Sequence, residues 1–413
     1  LRLFLQNSLS RSKDIFHPRN APEVKLFTCG PSVYNLPHIG NYRTYLYEDV
    51  LQRMLEALGY QVSRMINFTD VEDKAVDEAQ SRGLASLSEL TIPNEEQFLK
   101  DAALLGIKLP QEIPRSSTSV DQAVSLISRL LDQGQAYWHE GDVFFDPLTF
   151  EGFGRLYGLD MSRWPKRRVR FRKDTYPGQR WNLGDFILWH GGRPDDSFVW
   201  KTEIGYGRPA WNIQDPAMIS KHLGYELDIC CGGVDNLYRH HDYNIAIMES
   251  ASKSVLAPYW LHGEHLLVNG VKMSKSKGNI VYPGDLMQKG WSPGFLRFFL
   301  LWVHYRSKLN LDAGHVEQAW AIYSRLQGLL QELREAGVDS SKQAERAPAA
   351  HCLSTQALVF LADDLDVSSA IQCTIKTLEQ LRALQKDGRL SSQDHKAALD
   401  GLAELDQVLG CIF

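Results

Sequence analysis

Residues 24–68 constrain the fold more than any other part of the chain. VKLFTC (24–29) has buried-strand character and is stopped by Gly30 and Pro31, and QVSRMINF (61–68) is a second strand. Between them, GNYRTYLYEDVLQRMLEALG from residue 40 sets Leu46, Val50, Met54 and Leu51, Leu55, Leu58 at helical spacing. Strand, helix and strand with a crossover this short predict a right-handed βαβ unit. Such a unit begins a parallel sheet and places a ligand crevice at the strands' carboxyl ends. Cys29 and Thr69 then belong to the rim of that crevice. Strand signals return with YELDICC (225–231) and EHLLVN (264–269), and beyond about residue 312 the pattern is helical, with a linker near 337–350. From about 115 to 200 the rhythm breaks, and VFFDPLTFEGFG and RWPKRRVRFRKD read as a small inserted domain. The expected class is α/β.

Charge narrows the function. A formal charge of -5, with 23% charged and 44% hydrophobic residues, excludes a globally basic nucleic-acid binder and an acidic disordered tail; any polyanion must meet a local patch. No apolar run reaches membrane-spanning length, and LRLFLQNSLS lacks the layout of a signal peptide, so a cytoplasmic setting without a membrane partner is expected. Cysteines at 29, 230, 231, 352, 373 and 411 are too scattered for a disulfide framework, and most read as small core residues.

Two loops carry the chemistry. CGPSVYNLPHIGNYRT follows the first strand: Gly40 at a helix start allows close approach of a nucleotide, and the helix's positive end with His38 can face phosphates. VNGVKMSKSKGN follows the EHLLVN strand and offers Lys272, Lys275 and Lys277 to a pyrophosphate, whose charge grows as the α-phosphate is attacked. A third stretch, DICCGGVDNLYRHHDYN (228–244), invites a zinc reading. Its cysteines are adjacent and so are its histidines, and neighbouring positions point apart, so only one of each pair can easily face a common ion.

Together the loops resemble the class I aminoacyl-tRNA synthetases, whose HIGH and KMSKS signatures appear as His38-Ile39-Gly40-Asn41 and Lys272-Met273-Ser274-Lys275-Ser276. Within that class the chain resembles the cysteinyl branch through FTCGPSVYN, NFTDVEDKAVDEA, DFILWH, GYGRPAWNI, CGGVDNLYRHHDYN and HYRSKLN, in order from near residue 1 to about 410. The resemblance implies a Rossmann-like catalytic domain (1–114 and 201–260), a connective insertion (115–200), a KMSKS-bearing segment (261–311) and a helical bundle (312–413). It implies ATP with Mg²⁺ and formation of an aminoacyl adenylate. His38, Asn41, Lys272 and Lys275 take the catalytic roles, while Gly40, Gly232, Gly233, Asp235, Met273 and Ser274 contact ATP. Cys29, Gly30, Thr69, Trp211 and Cys230 line the amino-acid pocket.

The family's zinc, which binds the substrate thiolate, is held by two cysteines, a histidine and a glutamate. Cys29 and His240 match two of these positions, whereas Asp215 and Asn244 replace the other two. Asp215 is an acceptable ligand, a neutral amide is a poor one, and Cys231 and Asp242 are nearby substitutes. Loss of zinc is the expectation, and without it cysteine is no longer the obvious substrate. The acceptor is equally open. The branch's anticodon-reading domain lies beyond the helical bundle, and the sequence stops at VLGCIF (408–413), a layout shared with the mycothiol-pathway cysteine ligase. The expected acceptor is a small-molecule amine or hydroxyl, or a tRNA acceptor stem met by RWPKRRVRFRK (163–173), with Trp164 and Phe171 stacking on bases. A shortened cysteinyl-tRNA synthetase and a non-catalytic nucleotide- or RNA-binding paralogue are the alternatives.

Overall fold

The computed structural model describes residues 1–163, 184–237, 239–335 and 347–413. Trp164 and Phe171 of the basic run, and residues 337–346 of the linker, lie outside the described residues.

At the centre is a four-stranded parallel sheet ordered Tyr259–Gly263, Ile229–Gly233, Glu23–Thr28, Gln61–Ile66. The two central strands bury apolar side chains on both faces, as a sheet covered by helices on each side requires. Val24 and Leu26 share a buried cluster with Leu46, Val50 and Leu51 of the Ile39–Ala57 helix. Phe27 points the other way, into a cluster with Met65, Met218, Cys230, Met248 and Trp260. The Ile229–Gly233 strand is shorter than the alternation of YELDICC predicts. Upstream of it, the Asp228 carboxylate accepts the backbone N–H groups of Arg19 (2.6 Å) and Lys25 (2.7 Å), so a side chain bonds there.

A five-stranded antiparallel sheet has the order Ala136–His139, Asp142–Phe145, Phe186–Gly191, Gly205–Pro209, Trp200–Thr202. It joins the rest through stacked rings: Phe186 lies 4.9 Å from Phe145 and 3.9 Å from Tyr243 of the His240–Ser252 helix. A three-stranded sheet, Val271–Lys272, Leu266–Val268 and Leu309–Leu311, carries the lysine-rich loop. Beyond Leu311 every described element is a helix: Ala313–Glu335, Pro348–His351, Leu353–Leu361, Val367–Lys386 and Ser392–Leu409. Their leucines continue the cluster that contains the Ile39–Ala57 helix, so the helical region is part of one core. No helix among the described residues is long and apolar enough to cross a membrane.

Two buried polar groups organise this core. The Arg297 guanidinium, 1% exposed, pairs with Asp49 at 2.5 Å and donates to the carbonyls of Leu105 (2.9 Å), Gly106 (3.1 Å) and Leu409 (2.6 Å). It therefore joins three chain segments that are far apart in sequence. Beneath the Ile229–Gly233 strand, Ser8 Oγ meets His262 Nδ1 at 2.7 Å and His262 Nε2 meets His241 Nδ1 at 2.9 Å. Burial pushes the His262 imidazole down to about 3 and holds His241 well below its ordinary value.

Arg297→Met leaves a buried carboxylate and three carbonyls short of a donor, and should cost roughly 3 kcal/mol, read as a lower urea midpoint. The histidine pair makes a pH prediction. An unfolded histidine titrates near ~6.5, so below that pH the unfolded chain binds more protons and stability falls toward the folded value. Each buried neutral imidazole should cost about 1.4 kcal/mol per pH unit in that window. His262→Asn should therefore lose stability less steeply than the parent between about pH 6.5 and about pH 5; equal slopes in urea melts would show that the ring is not held neutral.

Candidate functional site

A cleft of about 410 Å³ opens at the carboxyl ends of the two central strands, Glu23–Thr28 and Ile229–Gly233. The connections leave these strands in opposite directions, which is where an open α/β sheet forms its crevice.

One wall is built by the start of the Ile39–Ala57 helix. His38 is its N-cap: Asn41 N–H donates to His38 Nδ1 (3.3 Å), and the Asn41 side-chain oxygen accepts from His38 N–H (3.0 Å). This reciprocal cap pairs the His38 N–H, adds a second acceptor to the Asn41 N–H that also meets the His38 carbonyl (2.9 Å), and fixes the ring at the cleft. Burial, with Lys272 nearby, lowers the His38 pKa. Gly40 lies close to the loop: a Cβ would stand 2.8 Å from Met273 Cε and 3.0 Å from His38 Cε1, so the methionine end would have to move. The two motifs therefore touch directly. Opposite, Lys272 Nζ is bidentate on the Asp235 carboxylate (2.7 and 2.8 Å), and Lys275 bonds the side-chain oxygen of Asn35 and lies over the Tyr34 ring. Ser274 also lines the cleft, and its N–H donates to Asn279. Gly232 is confined: a Cβ would be 2.9 Å from His241 Cε1, whereas Gly233 faces the cleft with only Thr44 nearby.

The floor gathers the pocket residues. Gly30 lies so close to Asn67 that a Cβ would fall 1.8 Å from its carbonyl oxygen, and the Asn67 side chain accepts Gly30 N–H at 3.0 Å. The Asn67 amide then donates to Asp215 Oδ1 (3.0 Å) and Thr69 Oγ1 (3.3 Å). Asp215 Oδ2 lies 2.7 Å from His240 Nε2 and 3.6 Å from Cys29 Sγ, and Sγ lies 3.8 Å from the same imidazole nitrogen. Trp211 stacks on His240 with centroids 3.9 Å apart. Arg239, at φ 73° and ψ -64°, makes the strained turn that starts the helix bearing His240. Burial and the Asp215 carboxylate push the Cys29 thiol well up. Cys230 does not join this group: it is 1% exposed and packs behind the wall against Phe27, Met218 and Trp260.

Three donors thus converge, Cys29 Sγ, Asp215 Oδ2 and His240 Nε2, all within 4.8 Å of one another. Tetrahedral zinc with such ligands has donor–donor edges of about 3.3–3.6 Å. The 3.6 and 3.8 Å edges are near that, and the 2.7 Å edge must open by about 0.6 Å, so the residues fit a metal as a three-donor set. Asn244, one turn beyond His240 on the same helix, is buried with Oδ1 unpartnered. Neither Cys231 nor Asp242 enters the set; Asp242 accepts the backbone N–H groups of Leu156 and Tyr157 (both 3.0 Å).

Residues that the sequence reading did not single out complete the cleft. Asn236, Tyr45 and His265 are among them; beneath the cleft, the buried Asn67 was visible only as part of NFTD, with no signal that it would order both Gly30 and Asp215.

Residues 15–321 match the family described as tRNA synthetases class I (C) catalytic domain. A cysteine–tRNA ligase of Chlamydia muridarum is 36% identical, covering 99% of this chain and 88% of the relative. That of Leptospira interrogans is 35% identical, covering 98% and 86%, and that of Brachyspira hyodysenteriae is 39% identical, covering 82% and 71%. Among solved structures, Mycobacterium tuberculosis methionyl-tRNA synthetase in complex with methionyl-adenylate aligns with a TM-score of 0.64 at 15% identity, covering 94% of this chain and 90% of that one. Agrobacterium radiobacter LeuRS, in a ternary complex with tRNA and LeuAMS, gives 0.66 at 12% identity over 96% and 84%, a likeness of fold. With a Rossmann-like parallel sheet, both signature loops facing one cleft and relatives matched along nearly the whole length, the chain belongs to the class I tRNA synthetases, in the cysteinyl-tRNA synthetase family.

Proposed function

We propose that the protein activates an amino acid with ATP to give an aminoacyl adenylate and passes the acyl group to an acceptor. The observation that supports it most is the meeting of two differently built walls in one cleft. The basic and glycine-rich wall of His38, Gly40, Gly233, Lys272 and Lys275 faces the floor made by Cys29, Thr69, Trp211 and, beside them, Asp215 and His240.

In this reading no side chain becomes covalently attached to substrate. The helix end at His38 and Asn41 receives the phosphates, with Mg²⁺ accompanying the nucleotide, and Asp235 takes the ribose hydroxyls once Lys272 leaves it. Lys272 and Lys275 then turn to the departing pyrophosphate, where charge accumulates in the transition state. Catalysis is by position and electrostatics. The pocket holds the amino acid's carboxylate in line with the α-phosphate, and Trp211 and Thr69 bound its side chain. Cys29, Asp215 and His240 would hold zinc, whose Lewis acidity favours a substrate thiolate over an alcohol. Cysteine is the amino acid this supports, with the tRNA acceptor that the relatives' names carry.

A second reading moves the amino acid away from cysteine and the acceptor to a small amine or hydroxyl. It is favoured by Asn244, whose neutral amide is a poor fourth ligand, and by the carboxylate of Asp215 where the family has a thiolate. ATP–pyrophosphate exchange across the common amino acids, with and without a zinc chelator, separates them. Chelator-sensitive exchange with cysteine alone supports the first; exchange with another amino acid that survives chelation supports the second. No exchange with any amino acid overturns both. Lys272→Ala should lower the exchange kcat by about a hundredfold, the scale of losing one transition-state charge contact.

A further inference from the structure

Three segments must be held in register around the nucleotide: the His38 turn, the Gly232 strand end and the Lys272 loop. One face of the Ile39–Ala57 helix meets all three, through Gly40, Arg43 and Tyr47 at helical spacing. Gly40 receives Met273 of the loop. Tyr47 Oη has the Gly232 carbonyl (2.8 Å) and the Leu261 carbonyl (3.2 Å) within reach of its one proton and accepts Gly232 N–H (3.1 Å), while its ring stacks 4.7 Å from that of Tyr305. Arg43 lies between them and is 3% exposed.

The Arg43 guanidinium holds four main-chain carbonyls. Nη1 donates to Glu264 (2.9 Å) and His265 (3.1 Å), and Nη2 to His304 (3.1 Å) and Ser307 (2.5 Å). The first two carbonyls stand at the root of the Leu266–Val268 strand and the second two at the root of Leu309–Leu311, its parallel neighbour. Leu266–Val268 pairs antiparallel with Val271–Lys272, placing Lys272 opposite Leu267. A planar fork with paired donors can span two strand roots; a lysine ammonium, a single point, cannot.

We propose that Arg43 is a positioning residue for nucleotide activation: it locks the Lys272-bearing sheet to the helix whose N-cap is His38, so that both sides of the phosphate chain are gripped at a fixed separation. The inference rests on the adenylation reading for its kinetic part and on geometry alone for its conformational part.

Arg43→Lys and Arg43→Met in the full chain test it, after thermal melts establish a temperature at which each variant is folded. The expected result is a kcat for ATP–pyrophosphate exchange about ten- to hundredfold lower, the cost of a misplacement on the order of 1 Å. The KM for the amino acid, bound at the far wall, stays within about twofold, and Arg43→Lys recovers melting temperature more than kcat. Hydrogen–deuterium exchange gives a readout independent of turnover. Amides of residues 266–272 should exchange at least about tenfold faster in Arg43→Met, while those of residues 23–28 stay unchanged. If the parent shows no pyrophosphate exchange, the adenylation reading falls, and the amide exchange still decides whether Arg43 anchors the loop sheet. Unchanged kcat in folded variants, or unchanged amide exchange at residues 266–272, overturns the proposal.

Discussion

The cleft exists because two neighbouring parallel strands send their chains apart. After Thr28 the backbone turns into the His38 helix on one face of the sheet, and after Gly233 it turns toward the His240 helix on the other. No described residue fills the gap between those departures, so the carboxyl ends of the central pair border the cleft. Each residue with a candidate chemical role is defined by its distance from this gap. Close packing keeps it narrow: Gly30 against the Asn67 carbonyl and Gly232 against His241 are contacts that a single methyl would break, while at Gly40 it would displace the end of Met273.

The central βαβ unit was legible in the sequence because its signals are local. Buried strands of six residues and a nineteen-residue helix with apolar residues at helical spacing need no knowledge of distant segments. The short start of the Ile229–Gly233 strand was not legible, because it depends on the Asp228 carboxylate bonding a strand that precedes it by some two hundred residues. The same holds for Arg43 and Arg297. In sequence each is a basic residue in an apolar helix, and only the fold shows that each is buried against carbonyls from several segments. Cys230 is the converse case: the resemblance placed it at the pocket, whereas in the fold it lies 1% exposed in the apolar cluster beneath Cys29 and does not line the cleft.

The floor shows how a donor set can be altered without being dispersed. Replacing a thiolate position with Asp215 and a carboxylate position with Asn244 read, from sequence, as dismantling a metal site. Yet Asp215 is held by Asn67 at one oxygen and meets Cys29 and His240 at the other, so three potential ligands still share one focus. Ligand type and ligand placement are separate properties. The first is written in the residue name; the second comes from an amide two positions before Thr69, which also orders Gly30.

The reciprocal cap at His38 has a consequence for the polarity of the cleft. With Nδ1 against the Asn41 amide, the orientation of the ring is set by the helix end rather than by whatever occupies the cleft. With burial disfavouring the charged form, the ring is biased toward its neutral state, a fixed dipole at the cleft where an exposed histidine would more readily take up charge.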